Sequence, residues 1–243
     1  MSTIRFTGVG HQYGGGTVLE DINLTLAEQR IGIIGANGSG KSTLARMING
    51  LVLPTRGTVT VDTLDPARHG REVRRRVGFM FTDPDSQIVM PTVAEDVAFT
   101  LRRRGLSKEE TTEKVDAILS RFGLAAHADH PSHLLSGGQK QLLALAAILV
   151  GGPSILVADE PTTLLDAFNL RRVGRIFAAM DQQLVIVTHH LELLRDFDRV
   201  ILIHQGKVAA DGAPAPVLAA YQKLWETLDE APLPAALSGA GPR

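Results

Sequence analysis

The chain lacks cysteine altogether, has few aromatic residues, and contains no long hydrophobic run in its 243 residues. Without cysteine it can carry neither thiol catalysis nor a cysteine-ligated zinc or iron–sulfur site, and it suits a reducing compartment. The longest apolar run, Leu142–Val150, is shorter than the roughly 20 residues that a membrane-spanning helix needs. The start, Met1–Phe6, lacks the apolar core of a secretory signal. We therefore expect a cytosolic chain that does not itself cross a membrane.

The chain also lacks an excess of either charge, because its 25 Lys and Arg nearly balance 26 Asp and Glu, for a formal net charge of −1. That balance argues against a protein held on nucleic acid by its overall charge. Hydrophobic residues make up 44% of the chain and charged residues 21%, as is usual for folded proteins. A chain of this length can bury a core that needs no disulfide or metal.

Short apolar segments alternate with amphipathic ones, which predicts a parallel sheet covered by helices on both faces. Residues 83–135 are expected to form a helical lobe inserted into this α/β core. Helices are expected at Lys41–Asn49, within Val93–Leu124, after Gly138, at Ala167–Met180 and at His190–Leu194. Strands are expected at Ile4–Val9, Ile22–Leu26, Arg30–Ile34, Thr58–Val61, Val77–Phe81, Ile155–Ala158, Leu184–Thr188 and Val200–His204.

A glycine-rich loop follows the expected strand Arg30–Ile34 and leads directly into a helix. It matches the G-x-x-x-x-G-K-[ST] pattern, whose backbone N–H groups surround phosphate oxygens at a helix N-terminus. Lys41 is expected to reach the β- and γ-phosphates, and the Ser42 hydroxyl to coordinate Mg²⁺. The residues predicted to bind nucleotide here are Gly35, Ala36, Asn37, Gly38, Ser39, Gly40, Lys41, Ser42 and Thr43.

Two adjacent carboxylates, Asp159 and Glu160, follow the apolar strand Ile155–Ala158. The carboxyl end of a parallel strand is where α/β sheets hold their ligands. Asp159 can orient water on Mg²⁺, and Glu160 can act as the general base on the attacking water. Taken alone, Asp159 and Glu160 are equally consistent with solvated acidic residues of a loop. Together with the upstream P-loop they favour hydrolysis of the nucleotide over binding alone.

A second glycine motif, Leu135-Ser-Gly-Gly-Gln139, opens a helix about ninety residues after the P-loop. Ser136 is expected to cap that helix, and Gly137 and Gly138 expose N–H groups that suit another phosphate. With this motif the chain closely resembles the nucleotide-binding subunits of ABC transporters, over about residues 3–225. The resemblance implies that Ser136, Gly137, Gly138 and Gln139 also bind ATP.

The resemblance also implies a fold and a domain layout. The fold is α/β, a P-loop NTPase (RecA-like) core with an N-terminal antiparallel β subdomain and an inserted helical subdomain. One ATPase domain is expected over residues 1–230, with the helical subdomain at about 83–135 within it. Residues 231–243, rich in Ala, Pro and Gly, are expected to be a flexible tail.

Three further residues take their expected roles from the family. Tyr13 matches the aromatic residue that stacks on adenine, and His189 matches the histidine that touches the γ-phosphate and the attacking water. Thr82 stands where the family normally has a glutamine that helps to bind Mg²⁺ and couples to the membrane subunit. A threonine has a shorter reach, so Thr82 is expected to be a weak third Mg²⁺ ligand beside Ser42 and Asp159.

The stretch Asp83-Pro-Asp-Ser-Gln87, followed by Val93-Ala-Glu-Asp-Val-Ala-Phe99, resembles the energy-coupling factor (ECF) importers within this family. These import vitamins or Co²⁺/Ni²⁺, and overall likeness favours the biotin branch. The resemblance implies an ATP-sandwich homodimer on the cytoplasmic face of the membrane. An integral-membrane coupling subunit would dock near Gln87, next to a membrane-embedded substrate-binding subunit.

Other functions stay open at this point. They are a soluble ABC ATPase acting on nucleic acid or ribosomes, a P-loop kinase, and a regulator that binds ATP without turnover. The long insertions typical of the first are absent, and a kinase does not need Ser136–Gln139. Two basic clusters, around Arg71–Arg76 and Arg102–Arg104, are compatible with nucleic-acid or lipid-headgroup contacts, although the balanced charge favours an ordinary solvated face.

Overall fold

The structure of the chain is a computed structural model, and it describes residues 2–102, 104–163 and 165–229. The strands are β1 (Ile4–Tyr13), β2 (Gly16–Leu26), β3 (Arg30–Ile34), β4 (Arg56–Val61), β5 (Val77–Met80), β6 (Ile155–Asp159), β7 (Gln183–Val187), β8 (Arg199–His204) and β9 (Lys207–Gly212). The helices are α1 (Lys41–Ile48), α2 (Pro66–Arg76), α3 (Val93–Leu101), α4 (Lys108–Arg121), α5 (Gly137–Leu149), α6 (Ala167–Ala178) and α7 (Pro214–Asp229). Short 3₁₀ helices lie at Pro84–Ser86, Ala125–His127, Ser132–Leu134 and Leu191–Leu194.

A three-stranded antiparallel sheet, in the order β2-β1-β4, forms the N-terminal layer. Ile4 pairs with Leu26 on one side and with Val61 on the other, and all three side chains are buried. Alternate residues of β1 face the core, as expected of a strand with one solvated face. The predicted antiparallel subdomain is therefore confirmed.

The second sheet has the order β5-β6-β7-β3-β8-β9. Its first five strands are parallel, and only β9 runs antiparallel to its neighbour. Strands β6 and β7 are buried along their whole length because helices cover both faces, which explains why their sequences do not alternate. The predicted α/β core is confirmed, and the carboxyl ends of β5, β6, β7 and β3 meet at one edge.

The expected helical stretch Val93–Leu124 consists of two helices, α3 and α4, because the chain turns to extended backbone at Arg102. Each begins with a capping box, formed by Thr92 with Glu95 and by Ser107 with Glu110. Both helices pack on α5. Apolar side chains from all three, including Val97, Leu119 and Leu143, share one buried cluster.

The bounds 1–230 and 83–135 remain predictions, and the predicted tail 231–243 lies outside the described residues. The expected helix His190–Leu194 is a 3₁₀ turn, Leu191–Leu194. Within the described residues, we find no helix whose length and hydropathy would allow it to cross a bilayer.

Candidate nucleotide site

The site lies at the edge of the large sheet where four neighbouring parallel strands end. The P-loop follows β3, Thr82 comes after β5, Asp159 and Glu160 lie at the end of β6, and His189 follows β7. These segments are far apart in the chain, and the strand order brings them together. Ligands of open α/β sheets bind at this edge.

The P-loop has the backbone of a phosphate cradle. Gly35 has φ +146°, and a Cβ at this position would overlap the carbonyl oxygen of Ile203. Only glycine therefore allows the loop to pass so close to β8. The next residues lead into α1, whose first N–H groups have no intrahelical partner and face the same space.

Lys41 lies inside this loop and is nearly buried, with 6% of its surface exposed. Its Nζ donates hydrogen bonds to the carbonyl oxygens of Gly35 at 2.8 Å and Ala36 at 2.9 Å. Burial lowers the pKa of Lys41, and the nearby carboxylates of Glu160 and Asp159 partly oppose that shift. Two weak carbonyl acceptors leave this ammonium able to turn to a stronger anion such as a phosphate.

Asp159 is almost fully buried and joins two residues of α1. Its Oδ1 accepts a hydrogen bond from Ser42 Oγ at 2.7 Å, and its Oδ2 lies 3.2 Å from a guanidinium nitrogen of Arg46. Thr82 Oγ1 donates to the backbone carbonyl of Asp159 at 2.9 Å. The three predicted Mg²⁺ residues are therefore linked in space, and the hydroxyl hydrogen of Thr82 is engaged with the backbone.

Glu160 and His189 form a close pair at the same edge. Glu160 has φ +52°, a left-handed conformation that costs a non-glycine residue about 1 kcal/mol or more. Its N–H bonds to the carbonyl of Val187, and its Oε2 lies 2.7 Å from His189 Nδ1. Thr163 donates to the same oxygen at 3.3 Å. Among the described residues Oε1 has no hydrogen-bond partner, so one carboxylate oxygen can accept a proton from water.

The signature segment forms the start of α5 together with its N-cap. Ser136 Oγ accepts from Gln139 N at 3.3 Å, and Gln139 Oε1 accepts from Ser136 N at 2.9 Å. This confirms Ser136 as the cap of α5. Ser136 and Gly137 are exposed, and no hydrogen bond of the described residues joins Ser136–Gln139 to Gly35–Thr43. In a single chain the two predicted halves of the ATP site are not in contact through hydrogen bonds.

Sequence reasoning missed Arg46 and Gln141, and it missed the contact of Thr163 with Glu160. Gln141 is 2% exposed, and its Nε2 donates to the carbonyl of Pro161, directly after Glu160. This bond links the signature helix to the turn that carries the expected general base. A polar residue directly before the apolar segment Leu142–Leu149 was the available signal, since an amide buried there needs a partner.

Two predicted contact residues lie toward the edges of the site. Tyr13 ends β1 at the tip of the first hairpin, and it is 79% exposed. Gln87 follows the 3₁₀ helix Pro84–Ser86, and its side chain bonds to Phe81 N and Phe79 O. The Gln87 side chain thereby makes hydrogen bonds to the outer edge of β5 that a neighbouring strand would otherwise make. Gln87 also lines a groove of about 360 Å³ with Val89, Phe99 and other residues of β5, α3 and α5.

The residues present fit a nucleotide and a divalent cation. Ser39 Oγ is buried inside the P-loop with no partner among the described residues, so it suits a ligand oxygen. The loop closes around a space where Gly35 admits no side chain. Ser42 and Asp159 offer the hydroxyl and carboxylate oxygens that Mg²⁺ prefers.

Comparison with known proteins agrees with this geometry. A family model described as "ABC transporter" matches residues 19–163. A Bartonella quintana protein, named for the family alone, is 48% identical over 221 residues, covering 91% of this chain and 98% of that protein. The biotin transport ATP-binding protein BioM of Rhizobium etli is 45% identical over 221 residues, with the same coverage. The energy-coupling factor transporter ATP-binding protein EcfA1 of Caldanaerobacter subterraneus is 44% identical over 207 residues, covering 82% of this chain and 75% of that protein.

A solved structure has the same fold. CbiO1 from Clostridium perfringens, described as part of the ABC transporter complex cbiONQ, superimposes with a TM-score of 0.80 at 29% identity. The match covers 94% of this chain and 95% of CbiO1. The expected P-loop core with an antiparallel β layer and helical insertion is thereby confirmed.

Proposed function

This chain belongs to the ABC transporter family of ATP-binding proteins, and we propose on that premise that it powers an ECF-type importer by hydrolysing ATP. The observation that carries the proposal is the pairing of Glu160 with His189 at the sheet edge that holds the P-loop. A protein that only binds ATP does not need a carboxylate held beside the phosphate cradle with one oxygen free. The names of the biotin and ECF relatives support the importer assignment over a soluble ATPase on ribosomes or nucleic acid.

In this mechanism the side chains divide the work of binding and proton transfer. Lys41 exchanges its two carbonyl acceptors for phosphate oxygens of ATP. Ser39 and the N–H groups of the loop bind the other phosphate oxygens. Glu160 takes a proton from the attacking water through Oε1, and His189 fixes the carboxylate through Oε2. Tyr13, exposed at the hairpin tip, stacks on the adenine ring.

Mg²⁺ would be held by Ser42 and Asp159, with Thr82 as a weaker third residue, and it would supply charge neutralisation on the phosphates. Arg46 pairs with Asp159 Oδ2 and orients the carboxylate toward α1. Because the Thr82 hydroxyl donates to the Asp159 backbone, it orients the strand end as well as offering an oxygen lone pair.

The active assembly we propose is a homodimer on the cytoplasmic face of the membrane. Each ATP would lie between the P-loop of one subunit and Ser136–Gln139 of the other, since these segments have no direct hydrogen bond within one chain. The groove beside Gln87 would receive a membrane coupling subunit, which works with a membrane-embedded substrate-binding subunit. We propose biotin as the substrate, because the Rhizobium etli relative is named for it.

One experiment tests both parts of the proposal. Wild type and Glu160→Gln are isolated from detergent-solubilised membranes, the proteins that co-purify are identified, and phosphate release is measured. We expect both chains to bring down small integral-membrane proteins. Loss of the general base should lower turnover of Glu160→Gln by about 100-fold or more while ATP binding persists.

Glu192→Gln is the matched control, because it removes a carboxylate near His190 on the following turn without touching Glu160. Its turnover should stay near that of the wild type. Undiminished turnover in Glu160→Gln would refute the general-base role. Recovery of the wild type with ribosomes or DNA instead of membrane proteins would refute the importer.

A further inference from the structure

Four arginines surround an open depression of about 770 Å³ on the helical side of the molecule. Arg71 and Arg75 come from α2, and Arg102 and Arg104 from the turn after α3. Thr100 completes the lining. We call this surface the arginine patch. Its guanidinium groups come from segments about thirty residues apart, so the tertiary fold brings the positive charge together.

The guanidinium groups of the arginine patch have no anionic partner within the described part of the chain. Other arginines of the molecule do, such as Arg76 with Asp62 at 2.8 Å and Arg199 with Asp211 at 2.6 Å. In the patch, the Arg102 guanidinium lies over the ring of Phe99, at 4.8 Å from its centroid. A planar guanidinium presents a fork of donors that matches carboxylate or phosphate oxygens, and here those donors face solvent.

This local charge contrasts with the molecule as a whole. The formal net charge is −1, so taking away the four positive charges of the patch leaves −5 for the rest of the chain. The lining residues of the depression include no carboxylate. A second depression, beside α6, has arginines as well, but Arg171 and Arg175 share it with Glu192 and Asp196. Positive charge is therefore segregated at the arginine patch and balanced beside α6.

The arginine patch is continuous with the groove that contains Gln87. Arg75, Thr100 and Arg104 line both. If the groove receives a membrane subunit, the patch lies beside that contact, on the side of the molecule nearest to the bilayer. On these grounds we propose that the arginine patch binds the phosphates of anionic phospholipid headgroups on the membrane surface. The inference rests on the proposed function, since it needs the groove to face the membrane.

The lining suits a lipid surface better than a single-stranded nucleic acid. Proteins that follow single strands combine positive charge with aromatic rings on which bases stack. The aromatic ring beside the patch, Phe99, carries the Arg102 guanidinium over its face. Headgroup phosphates need no such platform, and each arginine near an anionic leaflet strengthens binding by about fivefold.

Vesicle co-sedimentation of the full chain at low salt tests this inference. One set of vesicles is about one-third phosphatidylglycerol and two-thirds phosphatidylcholine, and the other is phosphatidylcholine alone. The test variant is Arg71→Glu with Arg102→Glu, two patch residues that do not line the groove. The matched control, Arg171→Glu with Arg175→Glu, makes the same charge change on exposed residues of α6.

We expect the wild type and the α6 control to bind the anionic vesicles, and the patch variant to bind them at least about 25-fold more weakly. Equal binding of the wild type to both vesicle types would overturn the inference, and so would equal weakening by both variants. Displacement by millimolar inorganic phosphate would indicate a site for a soluble anion, and tighter binding to duplex DNA would indicate a nucleic acid. Thermal unfolding and phosphate release of each variant separate these outcomes from misfolding and from a failure of the ATPase assignment.

Discussion

At the scale of single residues, the P-loop depends on how closely its backbone approaches β8. At Gly35 two constraints act together, a positive φ and the carbonyl of Ile203 where a Cβ would lie. Gly212 has nearly the same φ, +151°, but no atom lies within 4 Å of the corresponding Cβ position. Comparing Gly35 with Gly212 therefore distinguishes the cost of a positive φ from the cost of steric overlap.

We predict that Gly35→Ala lowers the free energy of unfolding by about 2–4 kcal/mol and strongly weakens ATP binding, because the loop must move away from β8. Gly212→Ala should cost about 1 kcal/mol and leave ATP binding unchanged. Chemical denaturation and a fluorescent-nucleotide titration measure both quantities. Similar losses in the two variants would mean that strain alone, and not the close approach to Ile203, limits this position.

The role of a residue could be predicted where a sequence motif specifies both the residue type and its neighbours in the chain. The P-loop and the Asp159-Glu160 pair are of this kind, since each follows an apolar strand. The contacts of Thr82 and Gln141 were not predictable, because their partners, Asp159 and Pro161, are at least 20 residues away in the chain. A hydrogen bond to a distant backbone carbonyl leaves no periodic signal in the sequence.

At the scale of elements, helix α3 fixes the segment between Gln87 and the start of α3 through hydrogen bonds to one of its buried side chains. Asp96 is 4% exposed, and its Oδ1 accepts hydrogen bonds from Val89 N at 2.8 Å and Met90 N at 3.0 Å. Burial raises the pKa of Asp96, although the two backbone bonds act in the opposite direction. The folded state therefore holds this proton more tightly than the unfolded chain does.

The sign of the pH effect follows from that difference. Between the ordinary pKa of an aspartate, about 3.8, and the raised value, the folded state binds more protons than the unfolded state, so this group makes stability fall as pH rises. Asp96→Asn cannot titrate. We predict that its unfolding free energy, relative to the wild type, increases as pH rises through that window and is constant above it.

Denaturant unfolding of both proteins across the acidic range measures this difference, and Asp96→Ala is the control. Alanine removes the acceptor for two buried N–H groups, so Asp96→Ala should be less stable than Asp96→Asn by about 1–3 kcal/mol at every pH. A difference between wild type and Asp96→Asn that does not change with pH would contradict the raised pKa.

The elements that sequence patterns identified have a capping box followed by apolar residues at helical spacing, such as α4, or a continuous apolar run, such as β6. Helix α2, strand β9 and helix α7 were not predicted. Helix α2 buries only Pro66 and Val73 and is otherwise rich in arginine, so it offered few apolar positions at helical spacing, although Asp65 before Pro66 was an available start signal. Strand β9 alternates between exposed and half-buried residues at the sheet edge, where pairing with β8 stabilises it.

At the scale of the whole molecule, the two predicted halves of the ATP site share no hydrogen bond within the described part of one chain. If two copies complete each other, a subunit without Lys41 and a subunit without a working signature can form one intact site between them. In a two-fold dimer that site takes Lys41 from one copy and Ser136 from the other.

We predict that Lys41→Ala and Ser136→Arg are each inactive alone, and that mixing them in equal amounts restores about a quarter of wild-type phosphate release. Random pairing makes half of the dimers mixed, each with one of two sites intact. Lys41→Ala mixed with Glu160→Gln is the control, since Lys41 and Glu160 act in the same subunit and each site of that mixed dimer lacks one of them. An inactive first mixture would show that the sites do not span two copies.

The sequence by itself determined that this protein is an α/β P-loop ATPase with a second glycine motif at a helix N-terminus, because those features are local and each motif needs only its own strand or helix. The tertiary structure decided which distant residues meet. The strand order places Glu160 beside His189 and Asp159 beside Ser42, and the fold brings α2 and the turn after α3 to one depression lined by four arginines. Such contacts arise from the crossing of elements remote in the chain, and composition, which averages charge over 243 residues, cannot reveal them.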